Sequence, residues 1–241
     1  MQKDDPYLYD DVDVLVNKLG IKDDNKLDLA EARFVTFRIV ALRKHGLKIE
    51  SVFDVQKIHK FIFEPLFDWA GEFRTIDMYK REQILSGMSV AYSSCAYIKE
   101  DLEDLDRKFK LIDWDECTEI EKVSYITDTI QELWQIHAFR EGNTRTTALF
   151  LYFLIKQSGL HINANFLGEN AAYFRNALVL ASIGYRSRKE YLLGLINDCV
   201  SYLDCNTNKY KTIDGYDCEK YDARPHTVEI LKTIKDLKDL Q

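Results

Sequence analysis

Apolar residues recur at helical spacing along most of this chain, and the breaks fall where glycine, proline or a capping residue stands. Asp24 or Asn25 is placed to cap a helix running through Leu42, with Phe34, Phe37, Ile39 and Val40 as its apolar positions and Gly46 as its break. A second helix is expected from about Asp54 to Phe63, where Ile58, Ile62 and Phe63 recur at helical spacing and Pro65 stops the run. His59 lies beside that stripe and reads as a packing or hydrogen-bonding histidine. The same reasoning predicts helices over about 98–109, 119–136, 143–157, 171–180 and 187–203. A charged amphipathic helix is expected over 227–240, with Leu231, Ile234 and Leu237 free to dock it on the body or on a partner.

Residues 74–94 change character. Arg74-Thr-Ile-Asp-Met and Ser89-Val-Ala-Tyr-Ser alternate as two short strands would, with Ser86-Gly87 between them as the turn. The predicted fold class is therefore all-α with one small β-hairpin. After Tyr202 the chain turns polar (Asp204-Cys-Asn-Thr-Asn-Lys209), which reads as a linker. This divides the chain into a domain over 1–203 and a C-terminal segment over 204–241.

Composition supports this picture and removes other classes. Only 3 Pro and 10 Gly imply few breaks and long helices, and an apolar fraction of 46% is enough for a sizeable core. The net charge of −7 argues against a general nucleic-acid surface, which is normally basic. The 5 cysteines show no C-x-x-C pairing and their number is odd, which favours thiols in a reducing compartment over disulfides or zinc. No apolar run reaches the roughly 18 residues of a membrane span, and the acidic start is no signal peptide. The expected location is cytoplasmic, with secretion as an effector left open.

The densest chemistry lies between two predicted helices, in His137-Ala-Phe-Arg-Glu-Gly-Asn-Thr-Arg145. A tight turn opening onto a helix N-terminus presents unpaired N–H groups and the positive end of a dipole, which suits phosphate. His137 is the group able to take a proton near neutrality. Glu141 is a hard oxygen ligand suited to Mg2+, and Gly142 lets the backbone approach an anion closely. Asn143 can cap the helix while its amide bonds a phosphate oxygen, and Arg145 offers a planar fork for two such oxygens. Phe139 is the apolar anchor. Taken singly, each residue has an ordinary explanation as a capping histidine, a solvated carboxylate or a surface arginine. Their occurrence in one short loop favours phosphate-ester chemistry.

The loop resembles the signature of Fic (filamentation induced by cAMP) proteins, written H-P-F-x-[D/E]-G-N-G-R-x-x-R. Asn17-Lys-Leu-Gly-Ile21, Ile58-His-Lys-Phe-Ile-Phe63, Phe67-Asp-Trp-Ala-Gly-Glu-Phe-Arg74 and the helix after the loop are similar to that family too. The resemblance implies a protein adenylyltransferase that moves AMP from ATP to a Tyr, Thr or Ser hydroxyl of a target protein. It implies that His137 deprotonates the hydroxyl, that Glu141 holds Mg2+ on the phosphates, and that Gly142, Asn143, Thr144 and Arg145 cradle them. It also places Tyr173 and Asn176 near the adenine and ribose, and makes residues 74–94 a flap that docks the target. The family leaves room for an antitoxin subunit or a homo-oligomer.

Three positions depart from the pattern. Ala138 replaces the proline, Thr144 replaces the second glycine, and Ala148 stands where a second arginine would hold the γ-phosphate. The last departure keeps open a different transferred group, UMP or phosphoryl, and a nucleotide-binding module without turnover. Ile213-Asp-Gly-Tyr-Asp-Cys-Glu-Lys-Tyr221 is similar to a degenerate copy of the family's inhibitory helix motif, with Glu219 as its glutamate.

Overall fold

The structure of the protein, a computed structural model, describes residues 5–201 and 207–218. Over these residues eight α-helices surround one core: α1 (Asp24–His45), α2 (Asp54–Phe63), α3 (Ile98–Lys110), α4 (Glu119–Ile136), α5 (Asn143–Gln157), α6 (Ala164–Glu169), α7 (Ala171–Ala181) and α8 (Glu190–Val200). The mainly helical fold is as expected. α4 is its axis, packing against α3, α5, α7 and α8, while α2 lies against both α1 and α5. The start of α4 is fixed locally by a capping box: the Glu121 N–H donates to Thr118 Oγ1 at 3.3 Å, and the Thr118 N–H donates to Glu121 Oε2 at 2.9 Å.

α1 corrects two expectations. Its N-cap is Asp23, which accepts from the Lys26 N–H at 2.9 Å, and not Asp24 or Asn25. Its buried face runs through Leu27, Asp28, Glu31, Val35 and Leu42, whereas Phe34 and Phe37 are 40% and 72% exposed. The helix turns two carboxylates inward, so a search for apolar positions selects the wrong face. α6 was not anticipated; it is one short stretch capped by Asn163, whose Oδ1 accepts from Phe166.

The small antiparallel sheet lies elsewhere than expected. It pairs β1 (Thr212–Ile213) with β2 (Tyr216–Asp217) in the C-terminal segment, where β1 packs on α7. Residues 74–94 contain no strand. They do reverse at Ser86 and Gly87, both with positive φ, and the Glu82 N–H donates to the Met88 carbonyl at 3.0 Å. A 3-10 turn over Gln83–Leu85 replaces further ladder bonds. Side chains hold the two limbs together instead. The guanidinium of the buried Arg74 donates to the carbonyls of Ile76 and Ser93, and Asp77 accepts from the Cys95 N–H. The alternation in sequence thus reports which side chains turn inward, and no β ladder follows from it.

Candidate functional site

The site forms where α4 stops. His137 sits at the C-cap in the left-handed region (φ 53°, ψ 53°), a costly conformation for a non-glycine residue. It is held there by contacts on three sides. Arg74 Nε donates to the His137 carbonyl at 2.8 Å, and the Arg74 N–H donates to the Ala138 carbonyl at 2.9 Å. Tyr92 stacks on the imidazole, with centroids 4.1 Å apart, and Trp134 meets it edge-on at 5.4 Å.

The protonation of this ring follows from its neighbours. Nδ1 faces the Trp134 carbonyl at 3.3 Å, a group that can only accept, so the proton resides on Nδ1. Nε2 is left as a buried lone pair with no hydrogen-bond partner among the described residues. Burial, and then the positive charges of Lys80 and Arg175, push the imidazole well below its ordinary value, so the ring is neutral at physiological pH. An unpartnered basic nitrogen in a closed site is the geometry of a general base.

His59 serves the loop in a different way. The Gly71 N–H donates to its Nδ1 at 2.8 Å, so Nε2 carries the proton and donates to the Glu141 carbonyl at 3.0 Å. Its ring stacks on Phe139 at 3.9 Å. Burial drives its pKa down to about 3. His59 is therefore a neutral strut between α2 and the loop, as its packing assignment anticipated.

The rest of the loop is fixed atom by atom. Gly142 has φ +79°, and a Cβ there would lie 2.3 Å from the Phe63 ring, so both conformation and space demand glycine. Asn143 does not cap the helix. Its Oδ1 accepts from the Phe139 N–H at 2.9 Å and its Nδ2 donates to the Phe139 carbonyl at 2.7 Å, so the side chain braces the loop and Gly142 is the N-cap. By helix geometry the N–H groups of Asn143, Thr144 and Arg145 have no intrahelical acceptor, and these are the donors left for an anion. Thr144 Oγ1 accepts from Trp134 Nε1 at 3.0 Å. The residue that replaces the expected glycine therefore anchors the indole that flanks His137.

Charge around the loop is mostly paired. Arg145 contacts Glu31 of α1 at 2.5 Å and Glu141 at 3.5 Å, Arg140 contacts Asp5 at 2.8 Å, and Arg175 contacts Glu82 at 2.6 Å. Glu82 also accepts from the Tyr92 hydroxyl at 3.1 Å, and Arg175 lies over the Trp134 ring. Glu141 accepts from the Gly142 N–H at 2.9 Å. Among the described residues no group of three or more His, Cys, Asp or Glu gathers to hold a metal. A single loop carboxylate beside an anion site fits Mg2+ arriving with phosphates, since that ion uses one or two carboxylates plus substrate oxygens.

Tyr173 and Asn176 are buried on α7 against the C-terminal segment. Tyr173 meets Tyr210 edge-on at 4.8 Å, and burial raises its hydroxyl to about 12. The Asn176 amide donates to the Ala172 carbonyl at 3.0 Å. Arg175 is the α7 residue that reaches Glu82 and Trp134 beside His137. Residues two apart on a helix point in nearly opposite directions, which separates it from Tyr173. Gly215, at the Ser/Thr place of the inhibitory motif, forms the turn between β1 and β2 and is not helical. Glu219 and the helix expected over 227–240 lie outside the described residues. Sequence reasoning missed Arg74, Lys80, Glu82, Tyr92 and Arg175: four stand in an irregular segment without a periodic signal, and Arg175 is a buried charge on α7 whose partner lies 93 residues away.

Fold and site together define a helical domain that sets a buried histidine a few residues before a helix N-terminus. Residues 50–155 match the model of the Fic/DOC family. The protein adenylyltransferase VbhT of Bartonella schoenbuchensis is 31% identical over 160 residues, which are 66% of this chain and 32% of that protein. The probable protein adenylyltransferase Fic of Escherichia coli is 24% identical over 163 residues, 66% of this chain and 76% of that protein. Among solved structures, the Bartonella tribocorum effector BepC with bound AMPPNP has a TM-score of 0.68 at 22% identity, covering 83% of this chain and 98% of that one. An N-terminal Fic domain of a Bartonella quintana effector with bound ADP gives 0.68 at 22%, covering 80% and 93%. At such identities these structures speak for the fold. The family match falls on the segment that carries this loop, and this chain spans about a third of the length of VbhT.

Proposed function

We propose that the protein is a Mg2+-dependent adenylyltransferase that moves the AMP part of ATP onto a Tyr, Thr or Ser hydroxyl of a target protein. The observation that carries this reading is the buried Nε2 of His137, without a partner among the described residues, six residues before a helix whose first N–H groups have no intrahelical acceptor. The names of the relatives, protein adenylyltransferases, support the same chemistry.

In this reading the hydroxyl oxygen attacks the α-phosphorus and its proton passes to His137 Nε2. A new O–P bond forms, the bond from the α-phosphorus to the bridging oxygen breaks, and pyrophosphate leaves. The N–H groups of Asn143, Thr144 and Arg145 and the Arg145 guanidinium hold phosphate oxygens, and Gly142 lets them come close. Glu141 would hold Mg2+, which supplies charge neutralisation on the phosphates. Polyphosphate binding also offsets the positive field that depresses His137, which makes Nε2 a stronger base when substrate is present.

The target docks along 74–94, where Tyr79 and Met88 are 70% and 59% exposed. Restraint by the C-terminal segment remains part of the reading on new ground: Tyr210 and β1 cover the α7 face expected to meet the base. Transfer of UMP or a phosphoryl group is the second reading, favoured by Ala148. Incubation of lysate with protein, Mg2+ and α- or γ-labelled ATP separates them. An adduct carrying the α label and lost in His137→Ala supports AMP transfer, a γ-labelled adduct supports phosphoryl transfer, and no adduct with any nucleotide overturns both.

A further inference from the structure

The arginines around His137 already have partners within the fold. Arg74 is bonded to backbone carbonyls, Arg140 to Asp5, Arg145 to Glu31 and Glu141, and Arg175 to Glu82. Lys80 differs. It stands on the limb of 74–94 before the Ser86–Gly87 reversal, its N–H donates to Ser89 Oγ at 3.2 Å, and it is half-buried. Among the described residues its ammonium makes no ion pair. Burial pushes this amine below its ordinary value, and the charges it feels include Glu141, Arg175, Glu82 and Arg140. After burial itself, Lys80 has the largest effect on His137. Exposure alternates along this limb, with Tyr79 and Arg81 outward and Lys80 and Glu82 inward, and Glu82 meets Arg175 and the Tyr92 that stacks on His137. An inward cation that makes no ion pair among the described residues is costly unless an anion joins it on binding.

The chain also lacks a cation where the family motif has one. Ala148 lies one turn of α5 beyond Arg145 and packs against the core. Resting on the nucleotide reading of the site, we propose that Lys80 binds the terminal phosphates of a nucleoside triphosphate, supplying from residues 74–94 the charge that position 148 does not. The same segment that receives the target would then close over the phosphates, so triphosphate binding orders the surface on which the hydroxyl docks.

Calorimetry of the full chain with Mg2+ tests this, using AMP and the α,β-methylene analogue of ATP, which is not cleaved at the α-phosphorus. Lys80→Met is expected to lose about tenfold to a hundredfold in affinity for the triphosphate, the loss of one charge-assisted bond, with much less change for AMP. Adding Ala148→Arg to Lys80→Met is expected to recover much of the loss. Without nucleotide, Lys80→Met should melt at or above the wild-type temperature, because a desolvated charge is gone. Equal triphosphate affinity in wild type and Lys80→Met, or equal losses for AMP and triphosphate, would overturn the assignment. So would a lower melting temperature without nucleotide, which would make Lys80 a structural cation. Wild type that binds no nucleotide would sink the reading of the site as well; wild type that binds while Lys80→Met is indifferent sinks Lys80 alone.

Discussion

His59 and His137 are both buried, one packed on the loop from α2 and the other its first residue, and burial drives both below the ordinary imidazole range. Their surroundings differ in one respect that decides their roles. His59 spends both nitrogens on backbone groups, the Gly71 N–H and the Glu141 carbonyl. His137 spends one, and is held in a left-handed backbone conformation that leaves Nε2 open. Desolvation alone therefore does not mark a catalytic histidine; the incomplete hydrogen bonding does. The sharpest break of this comparison is a pair of substitutions. His137→Ala is expected to lower transfer by about 10²–10⁴-fold, as for loss of a general base, with a smaller change in urea-unfolding stability than His59→Ala. His59→Ala should cost about 2–5 kcal/mol of stability, because it removes a stacked ring and orphans a buried donor and acceptor. If both variants lost transfer equally and kept full stability, the distinction would be empty.

Gly142 connects the two histidines. The Phe63 ring that crowds it is also tilted against His59 at 4.7 Å. A methyl group at position 142 meets a positive φ and that ring at once, so Gly142→Ala should cost about 2–4 kcal/mol by urea unfolding. It should also weaken nucleotide binding, since the ring can yield only by shifting α2 or the loop. Unchanged stability and binding would mean that the strut and the loop are not coupled through this contact.

The pH dependence sharpens the shared property. The folded pKa of His59 is about 3 against roughly 6.5 when unfolded. Between these values the unfolded chain binds more protons, so the stabilisation is full above about pH 6.5 and is lost as pH falls toward the folded value. Each such histidine contributes a slope of up to about 1.4 kcal/mol per pH unit in that window. His137 adds in the same direction. Urea unfolding at several pH values between about 7 and 5 should show a shallower slope in His59→Gln than in wild type; an equal slope would count against a neutral buried His59.

The contrast also explains what was legible in the sequence. α2, α4 and α5 have the boundaries expected, because their ends depend on local residues such as Thr118, Gly142 and Pro65. The α1 face departs from the apolar pattern because Glu31 is buried by an ion pair with Arg145, more than a hundred positions away, and no apolar periodicity records it. Residues 74–94 alternate like strands because alternate side chains point inward, yet Arg74 and Asp77 hold the limbs in place of ladder bonds. His137 and Glu141 were recognisable from chemistry and spacing. Tyr92, Glu82 and Arg175 became visible only once the chain was folded, since the network joins three separate segments.

Thr144 carries the smallest expected effect and the one most specific to this chain. Its hydroxyl is the acceptor for the indole N–H of Trp134, and Trp134 is fully buried between His137 and Arg175. Valine keeps the shape of threonine and removes the acceptor, leaving a buried donor unsatisfied at about 1–3 kcal/mol. Thr144→Val should therefore lose stability in that range, with the Trp134 indole proton exchanging faster by NMR. Transfer should fall through kcat more than through nucleotide KM, because the edge that fixes His137 loosens while the α5 N–H groups stay. Thr144→Ser should recover most of the lost kcat. Thr144→Gly restores the usual motif residue yet should also lose activity, because the indole has no other acceptor among the described residues. A gain with glycine would mean that the hydroxyl at 144 hinders the site, and that Tyr92, Arg74 and the Trp134 carbonyl position His137 without a fixed indole.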